Sequence, residues 1–135
     1  MVTIEITNMR IQVLSDLHLE FHWSTAKSFI NSLDPDGIDV LVLAGDICLH
    51  KHIVECLTAF CQRYENADVI YVHGNHEFYT SDRPTVVART EEAVRQNKNL
   101  HWLDGTSKNI RGRQFTGGTL WFPWHMDGKN PELER

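Results

Sequence analysis

The chain has 135 residues, of which 41% are apolar and 23% charged, and its formal net charge is −5. These values are typical of a single globular domain and exclude disordered, collagen-like and coiled-coil proteins. The negative charge disfavours a high-affinity nucleic-acid surface, and no apolar run is long enough to predict a membrane span. Three cysteines without a C-x-x-C motif and no leader-like amino terminus favour a cytoplasmic protein.

Strand-like and helix-like patterns alternate along most of the chain. Residues 1–8 predict an N-terminal extension or an edge strand, and residues 9–135 a single domain. Strands are predicted at 11–14, 39–44, 69–72, 100–103, 108–111 and 114–122, and helices at 24–33, with Ser24 as N-cap, 51–64 and 84–97. This alternation indicates an α/β fold with parallel βαβ units, and the late short strands indicate a hairpin or a second sheet.

Three polar clusters follow the first three apolar strands of this pattern. They read Asp16-Leu17-His18, Gly45-Asp46 and Gly74-Asn75-His76-Glu77. Their near-equal spacing is one βαβ unit, so we expect all three at the carboxyl edge of one sheet. Carboxylate, imidazole and amide donors suit Mn²⁺, Fe or Zn²⁺, and a pair of such ions suits displacement at phosphorus.

In order and position the clusters resemble the D-x-H, G-D and G-N-H-[DE] motifs of the calcineurin-like metallophosphoesterases. Here the motifs read SDLHLEF, LAGDI and HGNHEFY, and the resemblance extends from Met9 to Trp124. It implies a β-sandwich flanked by helices (αββα). It also implies a site for two divalent metal ions, for which Mn²⁺ is the preferred candidate and Fe, Zn²⁺ or Ni²⁺ are alternatives. The implied activity is hydrolysis of a phosphomonoester or phosphodiester by a hydroxide that the metals activate.

The resemblance also assigns roles to individual residues. The implied metal ligands are Asp16, His18, Asp46 and Asn75. Asp46 would bridge the two ions, and His76 would contact the phosphate and help to protonate the leaving group. Glu77 would orient His76 or cap the following helix.

Two histidine motifs that complete the family's site do not occur in this sequence. After His76 only His101 and His125 remain, neither of them in a Gly-His-x-His, and His125 is disfavoured as a ligand. The sequence therefore resembles the amino-terminal half of the family's domain, truncated after the first βαβαβ unit. The alternative function is a catalytically weak or inactive module, and the apolar stretch 120–124 predicts a homo-oligomer or a complementing chain.

Several further residues have a functional and a structural interpretation. Cys48, His50 and His52 are interpreted as a loop with solvated histidines rather than an auxiliary metal site. Phe78 or Tyr79 is a candidate for the wall of a substrate pocket, although packing is the default expectation. Structural roles are expected for two pairs of residues: helix core for Cys56 and Cys61, and exposed turn charges for Arg111 and Arg113.

Overall fold

A computed structural model describes residues 1–6 and 8–120, so residues 121–122 of the last predicted strand, most of the stretch 120–124 and His125 lie outside the described residues. The strands are β1 (Val2–Ile6), β2 (Met9–Leu14), β3 (Val40–Ala44), β4 (Asp68–Val72), β5 (Leu100–Trp102), β6 (Thr106–Ile110) and β7 (Arg113–Gly117). The α-helices are α1 (Trp23–Ser32), α2 (Ile53–Arg63) and α3 (Arg83–Gln96), and short 3₁₀ turns cover Leu19–His22, His50–His52 and His76–Phe78.

The central sheet has five strands in the order β1-β2-β3-β4-β5. Strand β1 pairs antiparallel with β2 at the edge, and all other neighbours are parallel. Leu14, Leu43 and Tyr71 lie side by side near the ends of β2, β3 and β4, so these strands end at one edge. The predicted α/β fold with parallel βαβ units is confirmed.

The two faces of the sheet pack against different elements. Because side chains alternate along a strand, Leu41 and Leu43 face the helices while Val40 and Val42 face the opposite side. The helices cover the first face. The antiparallel hairpin β6–β7 contributes Ile110 to the buried apolar cluster on the second face of the sheet. The hairpin forms the second sheet that the late strands predict.

The helix ends depart from the sequence pattern in one place. We predict Ser24 as the N-cap of the first helix, but α1 begins at Trp23, with His22 at the cap position and no side-chain cap hydrogen bond. The 3₁₀ turn that immediately precedes α1 already directs the chain into the helix, so Ser24 lies inside it. At α3, by contrast, Asp82 is a side-chain N-cap and accepts a hydrogen bond from the Thr85 N–H at 2.8 Å.

Arg111 is an exposed residue of the turn between β6 and β7, as the sequence predicts, and its side chain also makes ion pairs. Its guanidinium donates to Asp39 Oδ1 at 2.9 Å, to Asp68 Oδ2 at 2.8 Å and to the Asn66 carbonyl at 2.8 Å. Asp68 also contacts His101 Nε2 at 2.7 Å. Since Asp39 and Asp68 lie where β3 and β4 begin, Arg111 fastens the hairpin to the amino edge of the central sheet, opposite the polar clusters.

The three cysteines are buried. Cys48, Cys56 and Cys61 are all free thiols, and the burial of Cys56 and Cys61 on α2 confirms the prediction that they belong to the helix core. Within residues 1–6 and 8–120, no helix combines the length and apolar character needed to cross a bilayer.

Candidate metal centre

The loops that follow β2 and β3 are joined by backbone hydrogen bonds. The Asp16 N–H donates to the Gly45 carbonyl at 3.1 Å, and the His18 N–H donates to the Asp46 carbonyl at 3.1 Å. Strand-like pairing thus continues past the end of the sheet. The two polar clusters are held side by side by the main chain before any side chain contributes.

Three of the predicted site residues have left-handed backbone conformations. The φ angles are 53° at Asp16, 45° at His18 and 54° at Asp46. A non-glycine residue in this region costs about 1 kcal/mol or more, and it persists only when its surroundings fix the conformation. The interloop hydrogen bonds supply that constraint, and they turn the three side chains together beyond the sheet edge.

Glycines allow the β3 and β4 loops to approach closely. A Cβ atom at Gly45 would lie 2.8 Å from the Gly74 nitrogen, and one at Gly74 would lie 2.1 Å from Asp46 Oδ1. Both distances are shorter than a side chain permits, so each position requires glycine. The close approach brings Asp46 against the loop that contains Asn75 and His76.

Asp16, His18 and Asp46 form one group of potential metal ligands. Each offers one ligand atom, and the three atoms lie within 4.8 Å of one another. The His76 N–H donates to Asp46 Oδ1 at 2.8 Å, which fixes the orientation of that carboxylate. Two carboxylates and one imidazole suit a divalent ion such as Mn²⁺, Fe²⁺ or Zn²⁺, so these residues fit the metals that the sequence predicts.

Asn75 lies in the same loop, although its side chain has a different partner. Its amide nitrogen donates to the Tyr79 hydroxyl at 2.9 Å. The Tyr79 ring is 52% exposed and its centroid lies 4.6 Å from that of His76, whereas Phe78 is partly buried against the helical core. Of the two aromatic candidates for a pocket wall, Tyr79 is therefore the one at the open edge of the site.

Glu77 has a role that the sequence does not predict. It is fully buried, and it accepts hydrogen bonds from three backbone N–H groups and one hydroxyl rather than orienting His76 or capping a helix. The donors and their distances are Asp46 N–H at 3.2 Å, Ile47 N–H at 3.0 Å, Gly74 N–H at 2.9 Å and Tyr71 O–H at 3.1 Å. Burial raises the pKa of Glu77, and the hydrogen bonds from Ile47, Tyr71 and Gly74 oppose that rise. The buried carboxylate therefore connects the loops that follow β3 and β4 through these hydrogen bonds.

A second group of potential ligands contains Glu20, which the sequence motifs do not single out. His18, Glu20 and His76 offer ligand atoms within 4.8 Å of one another. Glu20 Oε1 lies 2.7 Å from His76 Nδ1 and 3.8 Å from His18 Nδ1, and the Glu20 side chain is only 4% exposed. The spacing Asp-x-His-x-Glu is the one sequence signal for it, because Glu20 lies two residues beyond a predicted ligand.

Cys48, His50 and His52 belong to neither of the two ligand groups found among the described residues. The His52 ring instead stacks on Trp23 with a centroid distance of 3.8 Å. Burial lowers the pKa of His52, and the nearby Lys51 charge lowers it further. His52 is therefore a packing residue between α1 and the start of α2, not a fully solvated one.

The fold and the donor set together define an α/β protein with candidate metal ligands at the carboxyl edge of its sheet. Residues 9–125 match the family model described as calcineurin-like phosphoesterase, and the chain belongs to that family. The match confirms the family resemblance that the three motifs carry. Metal-dependent phosphoester hydrolysis is the chemistry of that family.

Proteins similar to the chain include a viral relative and a solved structure. An uncharacterized protein of Acanthamoeba polyphaga mimivirus, L509, is 31% identical over 84% of this chain and 45% of the relative. A solved crystal structure shares the fold with a TM-score of 0.58 and 15% identity, over 85% of this chain and 55% of that one. The chain therefore spans about half the length of each of these proteins.

Proposed function

We propose that this chain is a metal-dependent phosphoesterase that hydrolyses a phosphomonoester or phosphodiester. The observation that carries the proposal is the convergence of Asp16, His18 and Asp46 on strained backbone, with their ligand atoms within 4.8 Å. Backbone strain at several neighbouring polar residues is common where side chains must meet a ligand. Family membership gives the class of reaction.

The chain's own residues have distinct tasks in this proposal. Asp16 and His18 would help to hold one divalent ion, Asn75 would help to hold a second through its amide oxygen, and Asp46 would serve both. When bound, the metals supply an activated water and neutralise charge on the phosphoester. His76, whose main chain already holds Asp46, presents its imidazole to the phosphate and the leaving group. Mn²⁺ is the first candidate for both positions.

The substitution Asp46→Asn tests the ligand set. Asparagine has nearly the same shape and keeps an oxygen that can accept the His76 N–H, but it removes the charge that would bridge two ions. We expect bound Mn²⁺, measured by elemental analysis, to fall, and Mn²⁺-stimulated hydrolysis of bis(p-nitrophenyl) phosphate to be lost. Asp36→Asn is the matched control, because Asp36 lies in the turn before β3, at the opposite end of that strand. Unchanged activity of Asp46→Asn would contradict the proposal.

The substitution His76→Ala separates chemistry from metal binding. We expect it to lower turnover by a factor of about 10² or more while the metal content stays unchanged, since general acid–base groups contribute on this scale. If the unmodified chain binds no metal and hydrolyses no phosphoester, the alternative function is favoured, namely a module that acts by binding a partner.

Three further expectations accompany the proposed function. They are a phosphoester substrate, a cytoplasmic location, and self-association or pairing with a complementing chain. Leu120, the last of the described residues and the first of the predicted apolar stretch, is 87% exposed. Light scattering tests association, and a monodisperse monomer would count against it.

A further inference from the structure

Two exposed aromatic side chains lie beside the histidines of the candidate metal centre. Phe21 is 70% exposed, and its ring centroid lies 6.1 Å from that of His18 and 5.8 Å from that of His76. Tyr79 is also exposed, and its ring meets the same His76 ring edge to face. Aromatic surface left open to water beside a few polar groups is typical of a site that binds a ligand of matching chemistry.

The chain holds both aromatic residues in the same way, by a tight turn that begins at a site histidine. The Phe21 N–H donates to the His18 carbonyl at 3.1 Å, and the Tyr79 N–H donates to the His76 carbonyl at 3.1 Å. The Tyr79 hydroxyl is held in addition by the Asn75 amide. Because these contacts are already made without a ligand, less freedom is lost when one binds.

We propose that Phe21 and Tyr79 determine the specificity of the site, and that they select a phosphoester whose alcohol part contains a flat aromatic ring. The inference rests on the proposed function, in which His76 faces the leaving group, because both aromatic rings contact His76. A flat π-system stacks on such rings or meets them edge to face, whereas a saturated ring of similar size gains only buried area. A simple aryl group and a nucleobase share this chemistry.

Isothermal titration calorimetry of the full chain, with and without Mn²⁺, tests this selection without any hydrolysis. The two probes are benzylphosphonate and cyclohexylmethylphosphonate, which have the same charge and similar size but differ in aromatic character. We expect tighter binding of the benzyl compound. We expect Phe21→Leu and Tyr79→Leu each to lower the ratio of the two affinities by about 2- to 10-fold, the scale of an aromatic pair.

Two control variants separate the aromatic rings from other effects. Phe29→Leu removes a partly exposed aromatic residue of α1 and should leave the affinity ratio unchanged. Tyr79→Phe keeps the ring and loses only the hydroxyl, so the ratio should be retained. Loss of the ratio in Tyr79→Phe would make the hydroxyl the determinant and would overturn the inference.

Two further outcomes of the titrations contradict the inference. One is equal affinity for the two phosphonates in the unmodified chain, or no binding of either. The other is a Phe21→Leu variant that keeps the affinity ratio but loses self-association in light scattering, because the ring would then belong to a protein interface.

A second pair of probes distinguishes the two sources of the aromatic ring. Adenosine 5′-monophosphate is compared with ribose 5-phosphate, which lacks the base. A preference for the nucleotide that Phe21→Leu and Tyr79→Leu reduce supports the inference and identifies a nucleobase. A preference confined to the benzyl compound supports it and identifies a small aryl group.

Hydrolysis of benzyl phosphate and cyclohexylmethyl phosphate supplies the kinetic test, because their alcohols have similar acidity and need similar help to leave. We expect a higher kcat/KM for the benzyl ester, and a fall of that preference by about 2- to 10-fold in each leucine variant. If the chain binds benzylphosphonate selectively but hydrolyses neither ester, the proposed function fails and the aromatic selection stands. If it hydrolyses both esters without preference, the aromatic selection alone fails.

Discussion

Glu77→Gln is the sharpest test of how the site is held together. Each carboxylate oxygen of Glu77 serves two donors: one oxygen accepts from Asp46 and Gly74, the other from Ile47 and the Tyr71 hydroxyl. Glutamine replaces one oxygen by an NH₂ group, which donates. The substitution thus preserves shape while turning part of an acceptor site into a donor site.

The expected cost follows from the two orientations of the new amide. If the NH₂ group replaces the oxygen that faces Asp46 and Gly74, it meets two backbone N–H groups, and both hydrogen bonds are lost. In the other orientation it meets the Ile47 N–H and the Tyr71 hydroxyl, and that hydroxyl can rotate to accept. The second orientation loses one buried hydrogen bond, which costs about 1–3 kcal/mol. Glu77→Ala leaves one buried and two partly buried N–H groups without their acceptor, and we expect the free energy of unfolding to fall by about 3–5 kcal/mol.

Equilibrium urea denaturation of the metal-free chain measures these free energies of unfolding. Glu92→Gln is the matched control, because Glu92 lies on the exposed side of α3 and accepts a hydrogen bond from the exposed Gln96 side chain. We expect the control to stay within about 0.5 kcal/mol of the unmodified chain. If Glu77→Gln is equally neutral, the carboxylate does not hold the two loops, and the account of how Asp46 is placed is wrong.

Three further predictions concern the same edge of the sheet and its supports. Gly74→Ala places a Cβ atom 2.1 Å from Asp46 Oδ1, so we expect bound Mn²⁺ to fall about tenfold or more in a titration followed by elemental analysis. Asn99→Ala removes the amide that donates to three carbonyls around the end of α2, and we expect urea denaturation to show a loss of about 1–2 kcal/mol. Burial would raise the pKa of Asp68, but the hydrogen bonds from Arg111 and His101 outweigh it and hold that pKa below its ordinary range. A depressed pKa stabilises the fold above the unfolded value and loses that effect in acid. The stability difference between Asp68→Asn and the unmodified chain should therefore shrink as the pH falls below about 4, and a constant difference would refute the assignment.

The sequence predicts the sheet and the meeting of the polar clusters because those features depend on local patterns. Apolar strands of similar length, each followed by a polar cluster after one βαβ unit, leave little freedom in how they align. The failure at Ser24 also has a local cause. A good capping residue marks a helix start only when the preceding chain is irregular, and here a 3₁₀ turn leads directly into α1.

The contacts that the sequence does not predict are those that join distant segments. Glu77 reaches Asp46, 31 residues earlier, and Arg111 reaches Asp39, 72 residues earlier. Glu20 meets His76 only because two loops are brought together by the sheet. No spacing rule for helices or strands applies to such pairs, so their partners emerge only from the packed structure.

The left-handed backbone at Asp16, His18 and Asp46 sets stability against function. Glycine at these positions would relieve strain at the cost of the ligand, so selection for a more stable fold alone would favour losing the site. A lineage that no longer used the metal centre would be free to accept such changes. Under the proposed function, these three residues therefore lower the stability of the fold in exchange for ligand atoms placed at one edge of the sheet.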